Sequence, residues 1–442
     1  MKRIAIRLSV VCCATLGLCN VLNGQQPKAP QPKAPQVVRI TLAQAEQMAL
    51  HHNPNISIAR LLQLAQAQVT REVRSADMPT VTSDLTATDA HDGSRITAGL
   101  LNNPTVYPRA AGGLRVSQLI SDFGRTHHLV SSAKATEREQ LENQRATQQD
   151  IILAVDQAYY QDLTANAVLK VAEETVAERQ TTVDEISALT KAKLKSTLDL
   201  SFAKVQLSQA QLLLLDARNG TQAANASLNA ILGSENNRQY DLVDPTPKNP
   251  QPAPDDAEGM VQLAFQQRPD LEALNDNATA AREYSKAEHD LWHPTISALA
   301  AVGGTPIRDD QIQSSWYGAA GANLSIPVFN GFLFSARAHA ADMEANAAQE
   351  SVRRLREGIA RDVRDAVLNA QIAFERIGVS KQLLNEANLS LDLAQTRYQI
   401  GLSGIVELSQ AQLTETQAEI SYANARYTYQ TALAVVRYQT GQ

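Results

Sequence analysis

Two very long stretches of this chain, 109–244 and 328–442, contain no proline. A proline inside a helix removes a hydrogen bond and clashes with the preceding turn, at a cost of about 3 kcal/mol. Its exclusion from such lengths points to helices far longer than a globular domain uses. Each stretch is introduced by a short extended run that ends with Asp or Asn close to Gly: "LISDFGR" at 119–125 and "IPVFNGF" at 326–332. The same sentence is thus written twice, strand, turn, then uninterrupted helix.

Other markers confirm an internal repeat, which decides the fold more than any local motif. "HNPN" (52–55) precedes "DMPT" (77–80), as "QRPD" (267–270) precedes "WHPT" (292–295); Pro54 to Pro79 and Pro269 to Pro294 are equally spaced, at an offset of 215. Asp122 and Asn330 continue the match at an offset of 208, so the first half carries a small insertion. The plan is a first repeat at 37–243, a proline-rich linker "DPTPKNPQPAPDD" at 244–256, and a second repeat at 257–442.

Within the long stretches apolar residues recur by threes and fours. Leu200, Ala203, Leu207, Ala210, Leu214, Ala217, Thr221, Ala224, Leu228 and Ile231 form one stripe. Leu408, Ala411, Glu415, Ala418, Tyr422, Ala425, Tyr429, Ala432 and Val436 form its counterpart, again 208 residues on. Another runs through Val352, Leu355, Ile359, Val363, Val367, Ala370, Phe374 and Ile377. Such seams predict helices packed side by side as in a coiled coil, with small Ala allowing close approach. The helices reverse at "AKLKSTLD" (192–199) and at "QIGLSGIVE" (399–407), where Gly401 and Gly404 ease the turn. This predicts helical hairpins at about 124–233 and 331–440. At ~1.5 Å per residue each is on the order of 100 Å long.

Between the proline markers and the turns lie short runs of period two. In "SSWYGAAGANLSIP" (314–327), Trp316, Gly318, Ala320, Ala322, Leu324 and Ile326 take one side; Tyr317, Ala319, Gly321, Asn323 and Ser325 take the other. "TISALAAVGG" (295–304) pairs with it, and "TVTSDLTAT" (80–88) with "GGLRVSQLIS" (112–121), giving β-hairpins at about 80–121 and 295–327. Runs of about ten residues suit tilted membrane strands. Four strands cannot close a barrel, and an open edge in hydrocarbon costs several kcal/mol for each unpaired backbone group. Membrane strands in this number require several copies to share one barrel; a soluble sandwich would need stronger apolar faces than these.

The N-terminus carries the marks of export. "MKRIAIR" is a basic segment, "LSVVCCATLGLC" an apolar one too short to span a bilayer, and cleavage is expected near Gly24, so that 1–24 is a signal peptide, with a membrane anchor as the alternative. Residues 25–36, "QQPKAPQPKAPQ", form a polyproline-like leader. Cys12, Cys13 and Cys19 all fall in the signal, which leaves no thiol for disulfides, metal or nucleophilic chemistry in the mature chain. Lipid attachment at Cys19 is disfavoured by Leu18 before it. Removing Lys2, Arg3 and Arg7 takes the formal charge from −6 to −9, against nucleic acid as a ligand. Aromatics at 5% favour long helices over a β-rich fold.

The two-fold repeat, "PVFNGF", "TRYQIGLSGIVELSQAQLTETQAE" and the closing "ANARYTYQTALAVVRYQTG" resemble the TolC-type outer membrane efflux proteins over residues 37–442. The resemblance implies a mainly α fold. Long helical hairpins would form a trimeric periplasmic barrel, and each protomer would give four strands to a twelve-stranded transmembrane β-barrel. It implies a homotrimer in outer-membrane lipid, docked to a membrane-fusion adaptor and an inner-membrane pump. For the family's closed tip it implies Tyr398 and Asp199, with an acidic ring at Glu407 and a second ring position held by Gln410. The family's companion Arg is replaced by Ser403. For adaptor docking it implies Gly401, Leu402, Ser403 and Gly404, and in the first half Lys193 and Leu194, where Lys193 departs from the family's Gly.

No phosphate loop, HExxH, CxxC or nucleophile elbow is present, and no cofactor or catalysis is expected. His289 and His293 have the i, i+4 spacing of a metal pair, but flank Trp292 just before a strand, where an interfacial or packing role is the simpler reading. The expected function is a passive outer-membrane exit duct for efflux or type I secretion. The competing reading is a periplasmic coiled-coil adaptor or tether without a pore, which should carry one helical hairpin rather than two whole repeats.

Overall fold

A computed structural model describes residues 38–89, 108–234, 238–247, 249–308 and 314–442. The signal, its three cysteines and the leader lie outside the described residues. In chain order the elements are β1 (Val38–Ile40), α1 (Leu42–His52), α2 (Pro54–Arg74), β2 (Thr80–Thr88), β3 (Arg109–Ser121), α3 (Arg125–Lys191), α4 (Thr197–Ile231), β4 (Tyr240–Leu242), α5 (Ala257–Gln267), α6 (Pro269–His289), β5 (Thr295–Ile307), β6 (Trp316–Ser325), α7 (Leu333–Gln399) and α8 (Ile405–Thr440).

The two longest helices, α3 and α7, each have 67 residues, on the order of 100 Å. Each folds back on a shorter partner, α3 on α4 and α7 on α8. The Ala stripe explains the closeness: Ala203, Ala210, Ala217 and Ala224 are buried at heptad spacing along α4. On α7, Val352, Ile359, Val363, Val367, Ala370 and Ile377 are buried as the periodicity predicts. Short helices pack along the rest of the long ones, α1, α2 and α6 on α3 and α5 and α6 on α7, with Pro54 and Pro269 at the first turns of α2 and α6, where a missing N–H costs nothing.

All four needle helices end the same way. The N–H groups of Leu194, Ser234, Leu402 and Gln442 each bond a carbonyl five residues back, at 2.8 to 3.0 Å. This motif places the preceding residue in the left-handed region, normally glycine. Gly233 (φ 70°), Gly401 (φ 78°) and Gly441 (φ 80°) fill three of these positions, and Lys193 (φ 62°) fills the fourth. Gly404 is extended (φ −91°), so the reversal needs Gly401 but not Gly404 for its backbone. Gly233 also lies where a Cβ would sit 2.5 Å from the His52 carbonyl oxygen, and Gly441 where one would sit 2.8 Å from the Gln267 carbonyl carbon. Both hairpins are therefore anchored at the break before a proline helix, at equivalent points of the two repeats. β1 and β4 pair in parallel beside the first anchor, and the Tyr159 hydroxyl donates to the carbonyls of Val243 (2.7 Å) and Ile40 (3.1 Å).

The other strands form one antiparallel sheet in the order β2-β3-β5-β6. Its register sorts most side chains by polarity across the four strands, with Ser83 on the apolar face and Leu119 and Leu299 on the polar one. Val81, Leu85, Leu114, Val116, Ala300, Val302, Trp316 and Leu324 share one face. Thr80, Thr82, Asp84, Arg115, Ser117, Ser297, Asn323 and Ser325 share the other, where Asp84 and Arg115 pair at 3.8 Å. On that polar face Tyr317 covers Gly303 and Gly113. In the single chain the apolar face lies open, Leu85 being 88% exposed, and among the described residues the outer edges of β2 and β6 have no partner strand. Each strand–needle junction needs two consecutive left-handed residues, Phe123–Gly124 in one repeat and Gly331–Phe332 in the other. The Gly and Phe of the pair are exchanged.

Candidate functional site at the needle tip

At the far end of the needles the four long helices share one small apolar cluster: Val183 and Ile186 from α3, Ala203 from α4, Tyr398 from α7, Ile405 and Leu408 from α8. Tyr398 is 8% exposed, and its hydroxyl has no hydrogen-bond partner. Burial first, then the nearby charges of Asp199 and Glu185, raise its pKa. The Lys195 ammonium sits 3.9 Å from its ring centroid.

Asp199 is close enough to act electrostatically on Tyr398, but its hydrogen bonds are local. Its carboxylate accepts from the Ser196 backbone N–H (3.2 Å), and the Ser196 hydroxyl accepts from the Asp199 N–H (3.1 Å). This reciprocal cap satisfies two orphan donors at the start of α4. Glu407 is half-exposed and pairs with Arg397 at 3.2 Å across the tip hairpin. Gln410 is exposed one turn further on. Leu194 and Leu402 are about 70% exposed, flanked by exposed Leu198, Ile400 and Val406, so the extreme tip is an apolar knob. Ser403 is half-buried, its hydroxyl unpartnered.

The structure thus brings Tyr398 and Asp199 into one neighbourhood, and Gly401, Leu402, Ser403 and Gly404 alongside Lys193 and Leu194 at the same end. Sequence reading missed Lys195 and Arg397. Their signal was positional: Arg397 precedes Tyr398, and Lys195 lies in the first reversal. The histidine pair divides between different carboxylates, His289 lying 3.1 Å from Asp342 and His293 3.3 Å from Asp290. Among the described residues no cluster of His, Cys, Asp or Glu could hold a metal ion, and no helix is long and apolar enough to cross a membrane.

A two-sided membrane sheet carried on paired helical needles defines a class, the channel subunits that join a β-barrel to an α-helical tunnel. The chain belongs to the outer membrane efflux protein family, whose profile matches it twice, over residues 45–234 and 260–442. It is an outer membrane protein. It is 24% identical over 403 residues to outer membrane protein TolC of Escherichia coli (strain K12), covering 88% of this chain and 79% of TolC. It is 24% identical over 408 residues to outer membrane protein OprJ of Pseudomonas aeruginosa, covering 90% and 83%. The solved structure of VceC from Vibrio cholerae superposes with a TM-score of 0.79 at 18% identity, covering 90% of this chain and 96% of that one. The outer-membrane channel OprN superposes with 0.77 at 20%, covering 90% and 89%.

Proposed function

We propose that this protein is the outer-membrane exit duct of a tripartite efflux or type I secretion system, a passive channel that closes at its periplasmic tip. The observation that carries this reading is the sidedness of the sheet together with its two open edges. One face is apolar enough for lipid, the other polar enough for water, and neither edge tolerates hydrocarbon unpaired. Three copies would close the edges into twelve strands and set the needles side by side as a tunnel. The adaptor alternative is disfavoured because the chain carries two whole repeats, not one hairpin within a β-domain.

At the tip, Tyr398 and Asp199 form the gate in this reading, Glu407 and Gln410 line the constriction, and Gly401, Leu402, Ser403, Gly404, Lys193 and Leu194 dock the adaptor. Three Glu407 carboxylates around an axis would attract cations once parted from Arg397, which pairs with Glu407 at 3.2 Å here. Membrane fractionation with unheated gel electrophoresis tests the assembly; a soluble monomer would sink it. The gate is tested by conductance in planar bilayers, which should rise for Tyr398→Ala. Asp199→Gln should raise it too, because glutamine at that position can keep the helix cap while losing the charge. Wild-type closed behaviour in both variants would overturn the gate.

A further inference from the structure

The seam between the two needles, where α8 packs on α3, buries an arginine that the tip contacts do not involve. Arg179 of α3 is 3% exposed. Its Nη2 donates to the Gln412 carbonyl oxygen at 3.0 Å and the Thr416 hydroxyl at 3.3 Å, both on α8. Its Nη1 lies 3.5 Å from the Glu178 carboxylate without hydrogen-bond geometry. Glu415, 8% exposed, holds a position in the α8 stripe where the neighbouring positions are Ala411 and Ala418. The charged groups acting here are Lys170, Glu174 and Glu178 from α3 and Glu415 and Glu419 from α8. On the tip side of Arg179, α3 continues with Val183 and Ile186 of the apolar cluster.

Desolvating such a group costs several kcal/mol, and apolar residues of similar volume often hold a seam at least as well. A charged seam differs in the cost of parting: separated, its ions rehydrate, whereas an apolar seam exposes oil to water. We propose that Arg179 is a positioning residue of the gate, a latch by which α3 holds α8 on the closed tip and which lets go as the seam hydrates. The inference rests on the gated-channel reading above.

Acidity gives the latch a readout that packing alone would not move. Burial, then Glu419 and Glu178, push Glu415 up to about 7, and burial also raises Glu419. A carboxyl whose pKa is raised in the closed seam favours closure while protonated, and that favour is lost as pH rises through about 7. The open-to-closed ratio should therefore climb from pH 5 to pH 8.

The test records planar-bilayer conductance across that range for wild type, Arg179→Ala, Arg179→Lys, Glu415→Gln and Tyr398→Ala, with unheated gels reporting assembly. Arg179→Ala should raise the open-to-closed ratio about tenfold, equivalent to about 1.4 kcal/mol, with Arg179→Lys between it and wild type. Glu415→Gln, nearly isosteric, should flatten the pH response. The double variant Arg179→Met/Glu415→Leu should assemble, open less than wild type and ignore pH. If Tyr398→Ala opens the channel while the Arg179 and Glu415 variants follow the wild-type curve, the latch is wrong and the gate stands. If Tyr398→Ala changes nothing either, the gated-channel reading itself fails.

Discussion

Lys193 stands where its repeat partner is Gly401, and it adopts the same left-handed backbone, φ 62° against 78°. A side chain in that region costs on the order of 1 kcal/mol, because Cβ crowds the following carbonyl. The fold accepts this at one of its four needle ends, so a tip residue here is kept against local preference. Lys193→Gly should raise the thermal midpoint of the assembled protein in detergent by a few degrees, whereas Gly401→Lys should lower it. Equal midpoints would mean the loop relaxes to another turn. Sequence alone exposed the mismatch at 193 but not its backbone strain, which the φ of Lys193 and the bonding of Leu194 to the Leu189 carbonyl make plain. Asp199 gives the opposite lesson: family resemblance pointed to a gate residue, and the structure adds a capping duty beside it.

Among the elements, the long helices were the most legible, since a stripe sustained over ten positions leaves little freedom of period. The β-hairpins were legible from alternation, although β3 begins at Arg109 and β5 runs to Ile307, beyond the apolar runs that marked them. β1 and β4 were not legible, because three residues carry no period and their pairing spans two hundred positions. Their neighbourhood holds two buried carboxyls on α3. Burial raises Asp156 to about 7, against the opposing Arg437 charge, and Asp162 to about 6, against its Asn166 hydrogen bond. Both pKa values lie above the unfolded value, so the stability they contribute is complete below about pH 4 and is lost as pH rises through 6 and 7. The thermal midpoint should fall from pH 5 to pH 8. Asp162→Asn, which keeps the acceptor for Asn166, should flatten part of that fall; an unchanged slope would show that the carboxyl is ionised throughout.

The whole molecule has a lipid side and a water side only if the sheet faces are used as proposed. Val302 and Thr82 lie on opposite faces. Val302→Arg should cost about 2–4 kcal/mol if it lies near the bilayer midplane, read as loss of the heat-resistant oligomer on gels. Thr82→Arg, turned to the polar face, should leave the oligomer intact and change conductance alone. Equal damage from both would contradict the sidedness.

The unpaired sheet edges also dictate how such a molecule can be made. The needles satisfy their own backbone bonds and can form on a newly exported chain in water. The sheet cannot rest there, since its apolar face would invite aggregation and its edges would recruit any strand they met. If the copies share one barrel as proposed, maturation runs from helix to sheet, and the last step would depend on concentration, because the strands would complete their pairing only when copies meet at the membrane. Until then such a chain would need its strand edges kept apart, and its yield would be decided in transit as much as by the stability of the finished assembly.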